Sequence, residues 1–264
     1  MSDVRSHRVH RHDATGVSET EDALVGEDPV EFRLGTTPIA VLMRTPGNDA
    51  ELARGFALTE GIVLAPDEIA AVEPVGPEAE GRYEVVLADG VHVDPEQFRR
   101  NLYTTSSCGV CGKASLDAVM VAARPAPEGP PLTDELVLSL PLKLAEHQSL
   151  FEATGGLHGA AIFDADGDLL VVREDVGRHN AVDKAIGAIA MQHWPLGPVI
   201  LMVSGRVGFE IAQKAAVAGI PVVAGVSAAS SLAVELGEET GTTVIGFVRD
   251  TSFNVYSGHE RFGG

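Results

Sequence analysis

The chain of 264 residues holds only two cysteines, and only 19 lysines and arginines against 38 aspartates and glutamates, a formal net charge of −19. That imbalance repels a phosphate backbone, which argues against general binding to nucleic acid or to an anionic membrane. No window approaches twenty consecutive apolar residues, so no membrane-spanning helix is expected. Met1 to Asp13 is charged and histidine-rich without an apolar stretch, so no secretory leader is expected and the cytoplasm is the expected location. Neither Gly-x-Gly-x-x-Gly nor Gly-x-x-x-x-Gly-Lys-Ser/Thr occurs, which disfavours ordinary dinucleotide-fold and phosphate-loop chemistry. A His-x-Glu ahead of a Pro-Cys-x-x-Cys is also missing, which sets aside a zinc nucleoside deaminase.

What is present is a chain with 45% hydrophobic residues, the mark of a globular protein. Its length suits one large α/β domain, or a small domain and a medium one, without cross-links. Both cysteines fall in one stretch, Thr104-Thr105-Ser106-Ser107-Cys108-Gly109-Val110-Cys111-Gly112-Lys113, three positions apart. The glycines free the backbone to turn and a helix-like run, Ala114 to Ala123, follows, so the stretch reads as a solvent-reachable loop entering a helix. A thiol beside free helix N–H groups and a cation such as Lys113 loses its proton more readily, and the thiolate is the form that attacks sulfur. Such a pair could exchange electrons as a disulfide, supply half of a zinc site shared by two subunits, or carry a sulfane sulfur as a persulfide. Two inert, buried thiols are the plain alternative.

Along the chain, residues 1–25 carry His7, His10 and His12 among arginines and acids with few large apolar side chains, and are expected to form a disordered tail. A small α+β domain, 26–124, follows. Its expected strands are Val30–Leu34, Ile39–Met43, Ile69–Val75, Tyr83–Leu87 and Val91–Val93, with helices over Glu51–Leu58 and Pro95–Leu102. Four prolines within Arg124–Pro131 mark the domain boundary. Two short helices split by Pro141 come next. From there to the end, 132–264, hairpin Ala160–Phe163/Leu169–Arg173 and alternating helices and strands predict an α/β/α domain on a mostly parallel sheet.

In such sheets ligands gather beyond the carboxyl ends of the strands. Those ends here carry Arg173 to Asn180, Ser204-Gly205-Arg206, Ser227 to Ser230, and Arg249-Asp250-Thr251-Ser252. Four arginines concentrated there, in so acidic a chain, predict a pocket for a phosphate-bearing molecule, with Arg178, His179, Asn180, Ser204 and Arg206 as candidate contacts. Each loop alone is also consistent with turn and capping chemistry.

The blocks Leu42-Met43-Arg44-Thr45-Pro46-Gly47, Ser107-Cys108-Gly109-Val110-Cys111-Gly112, Gly156-Leu157-His158, Arg173 to Ala181, Ser204-Gly205-Arg206 and Phe253-Asn254-Val255-Tyr256 together resemble the formate dehydrogenase accessory sulfurtransferase family, FdhD. The resemblance implies a sulfur carrier that accepts a sulfane sulfur from a cysteine desulfurase and passes it to the bis-molybdopterin guanine dinucleotide form of the molybdenum cofactor, destined for formate dehydrogenase. It further implies Cys108 as the persulfide carrier, Cys111 as the assisting thiol, and Phe247, Val248, Arg249, Asp250, Thr251 and Ser252 as a cofactor-binding segment. A C-terminal domain similar to the cytidine deaminase fold and a homodimer are implied as well, with no resident metal. A thiol-disulfide oxidoreductase or a zinc-stabilised module using the cysteine pair are the rival readings; no tryptophan precedes the pair, which weakens the first.

Overall fold

The structure, a computed structural model, describes residues 3–76, 81–95, 98 and 125–263. The cysteine stretch, the run Ala114–Ala123 and all but two residues of the helix expected over Pro95–Leu102 lie outside the described residues.

The second sheet holds six strands in the order β12-β11-β10-β9-β7-β8. They are β7 (His158–Phe163), β8 (Leu169–Asp175), β9 (Ile200–Val203), β10 (Val222–Gly225), β11 (Thr243–Arg249) and β12 (Ser252–Ser257). Both faces are covered. Ala160, Ile162, Leu201, Val203, Val223 and Val244 pack against helices α4 (Arg178–Ile189), α5 (Phe209–Ala218) and α6 (Ser231–Thr240). Ala161, Phe163, Ile200, Met202 and Ile245 face the other way, onto Val137, Leu140 and Leu144 of helix α2 (Asp134–Ala145). Burial on both sides is why these strands read as continuous apolar runs.

Two expectations differ from this part of the structure. The sheet is mixed rather than mostly parallel: β9, β10 and β11 pair in parallel, but β7 runs antiparallel to both neighbours and β12 antiparallel to β11. Hairpin connections such as Asp164–Asp168 require that reversal. Pro141 does not split a helix in two; it sits inside α2, which continues through it although its ring has no N–H to give the intrahelical ladder. A short helix α3, Ser149–Thr154, follows, its first free N–H groups at Leu150 and Phe151 taken by the Glu174 carboxylate at 3.0 and 2.7 Å.

The first sheet has the order β4-β3-β6-β5, from β3 (Asp28–Leu34), β4 (Thr37–Arg44), β5 (Ile69–Pro74) and β6 (Arg82–Leu87). The strand expected over Val91–Val93 is not formed. β6 already lies between β3 and β5, so neither of its edges remains to pair with it. Helix α1 (Asp49–Thr59) buries Leu52, Ala53, Ala57 and Leu58 against this sheet.

Residues Val4–Asp13 (β1) and Gly16–Val25 (β2) form an antiparallel hairpin rather than a disordered tail. Its register sets His7 opposite Asp22, Arg8 opposite Glu21 and His10 opposite Glu19, so a basic strand faces an acidic one. Opposite charges across a strand pair are favourable, and the pairing offsets the shortage of apolar burial.

The two sheets are joined through α1 and α4. A Cβ added at Gly55 would lie 1.9 Å from the Asp183 carbonyl oxygen, and one at Gly187 would lie 2.0 Å from that of Glu51. Only glycine lets these helices approach so closely. Beside this crossing Lys214 is buried and reaches Asp183 and Glu60, both at 2.9 Å, and the hydroxyl of Thr59, which donates to Asp183 at 2.7 Å.

Candidate functional site

β8, β9, β10 and β11 all run in one direction, so their carboxyl ends meet at a single edge, which the first residue of the reversed strand β7, His158, also reaches. Asp175 anchors the edge. Fully buried, its carboxylate accepts from the Thr45 and Gly177 amides at 3.1 and 2.8 Å and from the Asn180 amide at 2.9 Å, and pairs with the buried Lys184 ammonium at 2.7 Å. Lys184 also donates to the Thr45 carbonyl at 2.8 Å, and the Thr45 hydroxyl accepts from the Val176 amide at 3.1 Å. A buried carboxylate is tolerable only with its acceptor capacity filled in this way. The result is a rigid turn from β8 into α4, tied to the end of β4.

From that turn Arg178 runs alongside the loop after β9. A Cβ at Gly205 would stand 3.1 Å from the Arg178 side chain and 3.4 Å from His158 Nδ1, so these two residues are in contact with the glycine turn. Ser204 holds the other side, its hydroxyl accepting from the Gly159 amide at 2.9 Å. The β9 and β10 loops are then laced together: Val207 N donates to the Ala228 carbonyl and Ser230 N to that of Val207, both at 3.0 Å. Ser230 caps α6, accepting from Ala233 N. Phe247 N donates to the Ser227 carbonyl at 2.9 Å, which brings in the end of β11. Phe247 has φ 53°, a costly conformation for a bulky residue, at the place where the β11/β12 register breaks. Its ring lies 5.6 Å from the Arg249 guanidinium. Between the loops after β9 and β11 lie two strand spacings, roughly 10 Å.

The structure sorts the expected contacts into three groups. Arg178, Ser204, Arg206, Phe247 and Arg249 sit at the edge, and none of the three arginines forms an ion pair among the described residues. Asp250 and Thr251 are exposed in the turn between β11 and β12, and Ser252 is exposed at the start of β12. Others are engaged inward: Asn180 is buried and donates to the Met43 carbonyl at 2.8 Å as well as to Asp175, and Val248 packs in the core. Arg173, counted among the four strand-end arginines, instead forms a two-pronged pair with Glu51 at 2.5 and 2.7 Å and joins the two sheets. That contact raises its pKa against the opposing effect of burial. His179 pairs with Glu210 at 2.6 Å. Cys108 and Cys111 lie outside the described residues. Sequence reasoning missed Asp175, Lys184, Asp183, Lys214 and Glu210. The available signal was charge inside apolar helical runs, as in Ala181-Val182-Asp183-Lys184-Ala185-Ile186.

The sequence profile of the FdhD/NarQ family matches residues 25–263. The chain belongs to that family. An FdhD/NarQ relative from Streptomyces coelicolor, described as a sulfur carrier protein FdhD, is 51% identical over 255 residues, covering 93% of this chain and 90% of its own. One from Mycobacterium tuberculosis, described in the same words, is 47% identical over 274 residues and 99% of both chains. The fold matches the crystal structure of a protein described as a formate dehydrogenase accessory protein from Desulfotalea psychrophila, with TM-score 0.79 at 23% identity, over 98% of this chain and 99% of that one. No described helix of this FdhD/NarQ member is long and apolar enough to cross a membrane.

Proposed function

We propose that this FdhD/NarQ member is a sulfur carrier serving formate dehydrogenase, and that the carboxyl edge of its second sheet holds the molybdenum cofactor during the transfer. The observation that carries the second half is the gathering of Arg178, Arg206 and Arg249, without ion-pair partners among the described residues, beside a strained aromatic at Phe247. In a chain of net charge −19, cations left unneutralised along one edge suit an anionic ligand. A dinucleotide fits such an edge, with pyrophosphate near the arginines and Phe247 offering a flat face for a purine. Bis-molybdopterin guanine dinucleotide is a ligand of this kind, and here it is the substrate, not a resident cofactor.

In the loading step the Cys108 thiolate attacks the sulfane sulfur of a desulfurase persulfide. An S–S bond forms at Cys108 as the donor's S–S bond breaks, and the donor cysteine leaves as thiolate, with no net change of oxidation state. Cys111, three residues on, assists release of the sulfur. The relatives' description as sulfur carriers favours this over thiol-disulfide exchange or a shared zinc ion. A cytoplasmic homodimer is the expected working form.

Mass spectrometry of the intact protein after incubation with a cysteine desulfurase and cysteine tests the reading. A sulfur adduct of about 32 Da should appear on the wild type and be absent from Cys108→Ala, while GDP binding is unchanged. Replacing Arg206 by Ala should weaken GDP binding and leave loading intact. If either variant loses both properties, the two sites are not separate.

A further inference from the structure

Beside the arginines at the edge stands one titratable ring that plays no part in the site described above. His158 opens β7, half-buried, opposite Asp175 in the ladder and against the Gly205 turn, with its Nδ1 on the side that Arg178 shares. We propose that His158 is the proton-accepting member of the anion site, taking up one proton as a phosphate-bearing ligand docks between Arg178 and the Ser204-Gly205-Arg206 turn.

The charges around it set the direction. Arg178 and His179 crowd the ring from α4, and Arg206 follows Gly205 in the adjoining turn. The carboxylates at hand are committed elsewhere: Asp175 to Lys184 and three amide groups, Glu210 to His179, and Glu174 to the amides of α3. Burial first, then Arg178 and His179, hold the His158 imidazole below its ordinary value against a smaller opposing effect of Asp175. The ring is therefore neutral in the free protein at neutral pH. A diphosphate reverses the local sign: it neutralises Arg178, removes the main charge repelling a proton, and supplies oxygens that accept a hydrogen bond from a protonated ring. A fixed third cation there would have burdened the empty site; a neutral histidine supplies the charge only when the ligand arrives.

The inference rests on the nucleotide reading of the edge, and calorimetry with GDP on the full chain separates the two. In buffers of different ionisation enthalpy near pH 7, the wild type should take up more protons per GDP bound than His158→Gln. Its affinity should also rise more steeply as pH falls from 8 to 6, by up to about tenfold per pH unit. GDP's own phosphate titrates in this range, and comparison with the variant removes that contribution. Equal proton uptake and equal pH slopes overturn the role of His158 and leave the nucleotide site standing. Failure of GDP to bind either protein at any pH overturns both. Should His158→Gln not fold, ring-proton NMR of the wild type decides: the His158 pKa must rise on addition of GDP, and an unmoved or lowered value overturns the proposal.

Discussion

At the edge, Gly205 is the residue that leaves room for the Arg178 side chain. It lies between Arg178 and His158; a Cβ here would meet the Arg178 side chain at 3.1 Å, closer than it can stay without moving, and would just touch His158 at 3.4 Å. Gly205→Ala is therefore expected to push the Arg178 side chain aside, since that flexible arm yields before backbone does. Affinity for GDP should fall several-fold, with the urea midpoint nearly unchanged; a large loss of stability with intact affinity would contradict this placement. His179 and Asn180 teach the complementary lesson. Both stand next to Arg178 in sequence, yet one is held by Glu210 and the other faces the buried Asp175. Their place beyond a strand's carboxyl end made all three candidate ligand contacts, because hydrogen-bonding capacity is visible in a sequence and the partner that consumes it is not.

The junction of α1 and α4 governs how the elements are held. Their axes close over Gly55 and Gly187, where backbone touches backbone. Gly187→Ala puts a methyl group into the Glu51 carbonyl and should cost about 1–3 kcal/mol or more, the range for overpacking a rigid contact. Thermal unfolding would check it, and a change within experimental error would show that the helices can part freely. Helices α4, α5 and α6 and the strands between them were legible because their apolar spacing is undisturbed. The Val91–Val93 strand was not, because an alternating run says nothing about whether a partner edge is free. The β1–β2 hairpin was missed for a related reason: it is joined by a backbone ladder with opposite charges facing across it, such as Arg8 and Glu19, and only the register brings them together.

For the whole molecule, the buried cluster of Lys214, Asp183, Glu60 and Thr59 ties the first sheet's helix to the second sheet's helices. Burial acts to lower the Lys214 pKa, but Asp183 and Glu60 outweigh it and hold it raised. A lysine raised above its unfolded value of about 10.4 gives stability that is fully present below that pH and lost as pH climbs through the folded-state value. Lys214→Met should thus cost about 3–5 kcal/mol at pH 7 by stranding Asp183. In urea unfolding the gap to the wild type should not shrink until pH passes about 10; shrinkage at pH 8 would mean the pair is not charged as described. The order of strands and helices in the second half, the loops that carry arginine and the family were all readable from the residues in line, since apolar periodicity and local motifs are written residue by residue. Folding was needed to show that the sheet is mixed, that Arg173 serves the junction while Arg178, Arg206 and Arg249 remain at the edge, and that His158 lies beside Arg178. Strand direction and charge pairing both depend on which segments meet in space, as Arg173 and Glu51 do across more than a hundred residues of chain, and separation in sequence carries no record of such meetings.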